Sequence, residues 1–141
     1  MTTNRRITLG LVQMRCDASR EENLTRALRL VGEAASKGAK LVVLPELFRG
    51  PYFCQQPDDR SAFDLAEPIP GPTTKALANA AKEHRVVLVG GSVFERAADG
   101  RFFNTAPIFD ESGTLLGTYR KTHIPEDILY HEQHYFSPGD T

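Results

Sequence analysis

Leu41-Val42-Val43-Leu44-Pro45-Glu46-Leu47-Phe48, residues 41–48, is the stretch on which the fold turns. Leu41 to Leu44 is uniformly apolar and stops at a proline, so it reads as a short buried strand. Just upstream, Ser19 and Glu22 have the spacing of a capping box, in which side chains satisfy the free amides of a helix start. Leu24, Ala27, Leu28, Val31, Ala34 and Ala35 then recur at helical spacing, giving one apolar face, and Gly38 supplies the stop. Further upstream, Arg6 to Met14 reads as another strand. Its Ile7, Leu9 and Leu11 alternate with smaller or polar neighbours, and Leu11 with Val12 predicts burial on both sides. Strand, helix, strand in this order predicts a right-handed βαβ unit with parallel strands.

Downstream of Leu47 a long loop runs to about Pro70, and the turn-rich EPIPGP (residues 67–72) ends it. A loop that long inside a compact domain is often functional. Pro72 suits the first turn of a second helix, Thr73 to about His84. Val86 to Gly90 reads as another apolar strand. Phe102 to Phe109 and Leu115 to Arg120 read as the arms of a β-hairpin around Asp110-Glu111-Ser112-Gly113. Lys121 to Thr141 is polar, aromatic and irregular. Gly90 and Gly91 before Ser92 form no phosphate loop; glycines at a strand end permit close backbone approach. The whole order predicts an α/β fold with a mixed, mostly parallel sheet and helices on one face.

Composition narrows the function classes. The 141 residues are enough for one domain with its own core. A hydrophobic share of 40% with 25% charged residues is ordinary for a globular protein and argues against a disordered or fibrous chain. A formal net charge of -1 provides no strong pull toward nucleic acid or an anionic membrane. No apolar run approaches the roughly 20 residues of a bilayer span. Met1 to Gly10 lacks the apolar centre and small-residue cleavage site of a signal peptide. The two cysteines, Cys16 and Cys54, do not amount to a disulfide framework and fit a reducing, cytoplasmic setting.

Two residues stand where chemistry is expected. Glu46 lies just past an apolar strand, at the carboxyl end where parallel α/β sheets collect ligands, and a carboxylate there can serve as a general base. Lys121 ends the strand Leu115 to Arg120, where an ammonium can steady an oxyanion. Facing Glu46, it would stay protonated, because an opposite charge favours the charged form. Taken singly, each reads first as a solvated surface charge. Taken together they are far more specific.

LPELF (residues 44–48) followed by YRK-x-HIP (residues 119–125) resembles the nitrilase superfamily, whose members cut carbon–nitrogen bonds other than peptide bonds. GGSVFE (residues 90–95), the NTAPIFD-ESG hairpin (residues 104–113) and YFSPGDT (residues 135–141) extend the likeness over essentially the whole chain, as that family's N-terminal half. Within it, PELF with YFCQ and HIP-x(4)-Y-x-E-x-x-YF-x-PGD are most similar to the N-carbamoylputrescine amidohydrolase branch. The resemblance implies half of an α-β-β-α sandwich and, in the whole protein, homo-oligomers.

It also implies a triad of glutamate, lysine and cysteine. Glu46 matches the glutamate that deprotonates the thiol and later activates water, and Lys121 the lysine that steadies the tetrahedral intermediate. The nucleophilic cysteine is expected some tens of residues beyond Lys121, past Thr141, which leaves residues 1–141 by themselves silent. Glu132 matches a second glutamate, in the loop that closes over the site, that positions the lysine or the substrate. Gln133 stands where the branch usually has lysine, a departure that bears on the substrate. Tyr52 and Tyr130 either line the substrate pocket or pack as ordinary loop aromatics. Cys54 is expected to be a packing or pocket-wall residue and Cys16 a small buried side chain. His131, Glu132 and His134 have the spacing H-E-x-H rather than H-E-x-x-H, so no metal site is expected. His84 and His123 read as surface or supporting polar residues. The implied reaction needs no cofactor. It releases amine, carbon dioxide and ammonia from a small carbamoylated amine such as N-carbamoylputrescine. β-Ureidopropionate, a D-carbamoyl amino acid or an aliphatic amide are alternatives, as is a non-catalytic binding module.

Overall fold

The computed structural model describes residues 6–17 and 19–140; residues 1–5, within the segment read for a signal peptide, and 18 and 141 lie outside the described residues. The elements follow in the order β1 (Leu9–Leu11), α1 (Arg20–Ser36), β2 (Leu41–Val43), α2 (Pro72–His84), β3 (Val87–Val89), β4 (Val93–Arg96), β5 (Phe102–Phe109), β6 (Leu115–Arg120), β7 (Glu126–Asp127), β8 (Tyr130–His131) and α3 (Glu132–Tyr135).

Local chemistry sets the boundaries of both long helices. Ser19 Oγ accepts the Glu22 N–H at 3.3 Å and so caps α1. Gly38, at φ +93°, turns the chain away beyond its other end. Pro72 opens α2, where it has no amide to leave unpaired, and the Gly71 N–H donates to Thr74 Oγ1 at 2.7 Å. In the β5–β6 turn, Asp110 Oδ1 accepts the N–H groups of Ser112 and Thr114 at 2.9 Å each, and Gly113 adopts φ +82°.

β1, β2 and β3 pair in parallel, as expected of the βαβ pattern. Beyond β3 the pairing is antiparallel, because β5 and β6 form a hairpin and β5 runs against β3 and β4. β3 and β4 lie end to end along one edge of β5, with Val89 opposite Ile108 and Val93 opposite Thr105, while β6 takes the other edge. β4 is a strand that the sequence pattern does not announce: Val93, Phe94 and Glu95 are all buried, so no alternation shows. Between the two strands Gly91 adopts φ +62°, and a Cβ there would sit 2.1 Å from the Pro45 carbonyl oxygen.

The core is one-sided. Ala27, Val31, Leu77 and Ala81 from the helices meet Val42, Leu44, Leu88 and Phe109 from the sheet. The opposite face is bare: Leu9 is 55% and Leu11 77% exposed, and Val43, Val89, Ala106 and Ile108 are only half-buried. This corrects the expectation that Arg6 to Met14 is buried on both sides. Alternate side chains of a pleated strand point to opposite faces, and α1 and α2 cover one face only. An apolar pattern marks a face that avoids water without saying what covers it.

A second cluster orders the Leu47 to Pro70 segment, which is not featureless. Short 3-10 turns at Phe53–Gln55 and Arg60–Leu65 carry Phe53 and Phe63 onto Phe94, Tyr135 and Phe136. Phe53 stacks on Phe94 with ring centroids 5.0 Å apart and meets Tyr135 edge-on at 5.1 Å. The tail, expected to be irregular, forms the β7–β8 ribbon and the single turn α3. Elements this short have no periodicity to read; Tyr135 holds the turn in place by donating its hydroxyl to the Gln56 carbonyl.

Candidate active site

The site lies at the carboxyl ends of β2 and β3, where the bare face meets the aromatic cluster. Glu46 follows Pro45 just past β2. The next residue, Leu47, is held at φ +46°, a left-handed conformation unusual for leucine. Its N–H donates to the buried Ser92 Oγ at 2.9 Å. Lys121 continues from β6: its N–H donates to the Asn104 carbonyl at 2.9 Å, and its own carbonyl accepts the Gly139 N–H at 2.9 Å. On the other face of the strand end, the Arg120 guanidinium grips Glu95 and lies 3.9 Å from the Phe103 ring centroid. These contacts fix the backbone from which Lys121 projects.

Three charged side chains converge. Lys121 Nζ donates to Glu132 Oε2 at 2.8 Å and to Glu46 Oε1 at 3.2 Å. Glu132 Oε1 accepts the Tyr52 hydroxyl at 2.9 Å. Asn104 Nδ2 donates to Glu46 Oε1 at 2.6 Å. The two carboxylates differ in environment: the Glu132 side chain is 4% exposed and the Glu46 side chain 54%. Both oxygens of Glu132 are engaged, so it is suited to hold its neighbours. Among the described residues no hydrogen bond reaches Glu46 Oε2, which leaves that oxygen to take a proton. Environment thus sets the two acids apart, one buried and fully engaged, the other exposed with one oxygen unengaged among the described residues.

Electrostatics agree with this division. Burial works against the charge on Lys121, but the Glu132 hydrogen bond and the Glu46 and Glu132 charges outweigh it and hold its pKa above the ordinary lysine value. Burial, then the hydrogen bond to Glu132, pushes the Tyr52 hydroxyl well above the usual tyrosine range, so it remains a donor. Burial, followed by the Glu132 charge, pushes the fully buried Cys54 thiol up to about 12. Cys16, half-buried and packed against the helix-side core, also has its thiol pushed up by burial. Neither is a thiolate at neutral pH.

A cavity of about 260 Å³ is lined by Glu46, Ser92, Asn104 and Lys121, with Val43 and Tyr119 among its apolar walls. It opens onto the bare sheet face. A smaller cavity of about 140 Å³ lies behind Leu47, beside Arg20, Arg49 and Glu67, and contains neither Glu46 nor Lys121. Its arginines are engaged, Arg20 with the Leu65 carbonyl and Arg49 with the Arg20 carbonyl and Thr73.

The structure therefore brings Glu46, Lys121, Glu132 and Tyr52 together. Tyr130 stands at the margin, 55% exposed, with its ring 6.0 Å from that of Tyr52. His131 pairs with Glu126 at 2.9 Å and His134 with Asp58 at 3.4 Å, while Glu132 turns into the site. Among the described residues no group of three His, Cys, Asp or Glu side chains could hold a metal ion. Sequence reasoning missed Asn104 and Ser92. Asn104 left a signal: with Thr105 it forms a polar pair, now 3% and 0% exposed, within an otherwise apolar strand.

Comparison with known proteins follows the same line. Residues 8–141 match the family described as Carbon-nitrogen hydrolase. The chain is 43% identical over 139 residues to an N-carbamoylputrescine amidase of Solanum lycopersicum, covering 98% of this chain and 45% of that protein. It is 40% identical over 138 residues to the Omega-amidase NIT2 of Homo sapiens, covering 94% and 48% respectively. Among solved structures it is similar to a carbon-nitrogen hydrolase from Helicobacter pylori G27, with a TM-score of 0.88 and 36% identity over 95% of this chain and 45% of that one. Nit3 of Saccharomyces cerevisiae superposes with a TM-score of 0.79 and 33% identity, covering 96% and 49%. The chain spans about half the length of the curated relatives it matches.

Proposed function

The chain belongs to the carbon–nitrogen hydrolase family, and from that premise we propose that it supplies the base and the oxyanion-stabilising cation of a hydrolase acting on non-peptide carbon–nitrogen bonds through a cysteine thioester. The observation that carries this reading is one ammonium shared between two carboxylates of unequal burial, at the mouth of a cavity.

In this reading Glu46 Oε2 takes the proton of a cysteine thiol, and the sulfur keeps the bonding pair and attacks the substrate carbonyl carbon. The oxyanion that forms is met by the Lys121 ammonium. When the carbon–nitrogen bond breaks, the departing nitrogen takes the proton back from Glu46, leaving a thioester. Water then gives a proton to Glu46 and attacks the thioester carbon, and as the carbon–sulfur bond breaks the sulfur takes that proton from Glu46, which restores both thiol and carboxylate. Glu132, itself held by the Tyr52 hydroxyl, keeps Lys121 in place throughout. With a carbamoylated amine the products are amine, carbon dioxide and ammonia.

The buried Cys54 thiol and the half-buried Cys16 thiol, both protonated at neutral pH, do not suit the nucleophile's task, so in this reading the thiol comes from residues not among these 141, on a layer covering the bare sheet face. Within the family we favour a small carbamoylated amine such as N-carbamoylputrescine. The PELF, YFCQ and HIP…PGD motifs and the likeness to the tomato amidase support that substrate. Similarity to an omega-amidase keeps a plain amide as the competitor. A non-catalytic module that docks its bare sheet face on a partner is the second reading.

One experiment decides between them. The reading frame is followed past the codon for Thr141, and its whole product is expressed and assayed for ammonia release from N-carbamoylputrescine, β-ureidopropionate and an aliphatic amide. A further cysteine and ammonia release from the carbamoylated amine are expected. A stop codon at that point, or no release from any of the three, overturns the hydrolase reading in favour of the module.

A further inference from the structure

Asn104 is tied to two of the three members of the charged centre. Its side-chain Nδ2 donates to Glu46 Oε1 at 2.6 Å, and its backbone carbonyl accepts the Lys121 N–H at 2.9 Å. It is 3% exposed, sits opposite Phe94 in the β4–β5 ladder and lines the cavity between Glu46 and Lys121. Its strand neighbour Thr105 donates to Glu95, the partner of Arg120, so the rail that carries Asn104 is itself anchored. A half-exposed glutamate on a loop otherwise has several rotamers to sample. Here one of its oxygens receives two donors, from Asn104 and Lys121, and the other receives none among the described residues.

We propose that Asn104 is a positioning residue that divides the Glu46 carboxylate into a tethered oxygen, Oε1, and a free oxygen, Oε2, and that the free oxygen is the one that exchanges protons with thiol and water. This rests on the hydrolase reading above. The amide is suited to the task because it donates without adding charge, so it orients the carboxylate while leaving the balance of one ammonium and two carboxylates unchanged. An aspartate at the same place would have the same shape but no donor at neutral pH, and would set a third negative charge against Glu46.

The test uses the whole expressed protein. Glu46→Gln, assayed first for loss of ammonia release, checks the parent reading by itself. Asn104→Ala and Asn104→Asp are then compared with the unaltered protein. Expected for both is a fall of about 10- to 100-fold in kcat with KM changed less than about threefold, because the lost contact orients the base rather than the substrate. A purely structural role would lower the amount of folded protein and leave the kcat and KM of the folded fraction unmoved. That result overturns the proposal, as does full activity of Asn104→Asp. If the unaltered protein itself releases no ammonia, the parent reading fails first. A crystal structure of Asn104→Ala then decides the remainder: an unchanged Glu46 rotamer overturns the positioning role, and a displaced one supports it.

Discussion

Replacing Lys121 with methionine should destabilise the protein chiefly through Glu132 rather than Glu46. Lys121 Nζ lies 2.8 Å from Glu132 Oε2 and 3.2 Å from Glu46 Oε1, but the Glu132 side chain is 4% exposed and that of Glu46 54%. Once the cation is gone, Glu46 rehydrates, whereas Glu132 is left as a buried charge with only the Tyr52 hydroxyl to satisfy it. Removing one partner of a buried ion pair costs about 3–5 kcal/mol. The retained Tyr52 hydrogen bond and the partial exposure of Lys121 place the expected loss nearer 2–4 kcal/mol. Urea unfolding of the whole expressed protein measures it, together with Glu132→Gln and the double variant. Since most of the cost is an orphaned charge, adding Glu132→Gln to Lys121→Met should restore more than about 1 kcal/mol. The pH dependence has a definite sign. The Lys121 pKa is raised above 10.5, so the stability it contributes is fully present below the unfolded value and is lost as pH rises through the folded value. The stability gap between the unaltered protein and Lys121→Met should therefore hold steady from neutrality to about pH 10 and close in stronger alkali. Simple addition of the two single losses, with no rescue in the double variant, would refute the view that Glu132 is held as an anion by Lys121.

Other consequences can be measured on the same protein. Gly91→Ala would place a methyl group 2.1 Å from the Pro45 carbonyl oxygen at φ +62°. The backbone strain alone costs about 1–3 kcal/mol, and because Pro45 must shift, thermal stability and ammonia release should fall together. The Cys54 thiol, pushed from 9.0 to about 12, should resist iodoacetamide at pH 8 in the native protein and react once it is unfolded. Because the unfolded state ionises first, Cys54 should also draw stability down as pH rises above 9.0, an effect absent from Cys54→Ala. Arg120→Met strands Glu95, whose side chain is 7% exposed, and should cost about 2–4 kcal/mol in urea unfolding; loss of activity beyond the loss of folded protein would show that the pair also sets Lys121.

Much of the fold was legible because local chemistry and periodicity agreed. The cap at Ser19, the apolar stripe of α1, Gly38, Pro72 and the Asp110–Thr114 turn are short-range effects, so the helix and hairpin boundaries could be read from neighbouring residues. Glu46 and Lys121 were legible as strand-end residues, and Glu132 through the family motif. Less was legible where the answer depends on distant residues. β4 hides its alternation, and the Phe53–Gln55 and Arg60–Leu65 turns and the β7–β8 ribbon are too short to carry a period. Leu9 and Leu11 announce an apolar face but not which layer covers it.

The sequence by itself determined the order of the two long helices and of the strands around them up to the β5–β6 hairpin, β4 apart, and the parallel start of the sheet, and it singled out Glu46, Lys121 and Glu132, because covalent neighbours dictate capping, turning and strand ends. Only the tertiary structure decided how those three charges meet and how deeply each is buried. Glu46 and Lys121 are 75 residues apart along the chain, and Asn104 and Ser92 meet them only because β3, β4, β5 and β6 bring their strand ends together. Burial, which leaves the Glu132 side chain 4% and the Glu46 side chain 54% exposed, is a property of that assembled neighbourhood and of no single stretch of chain.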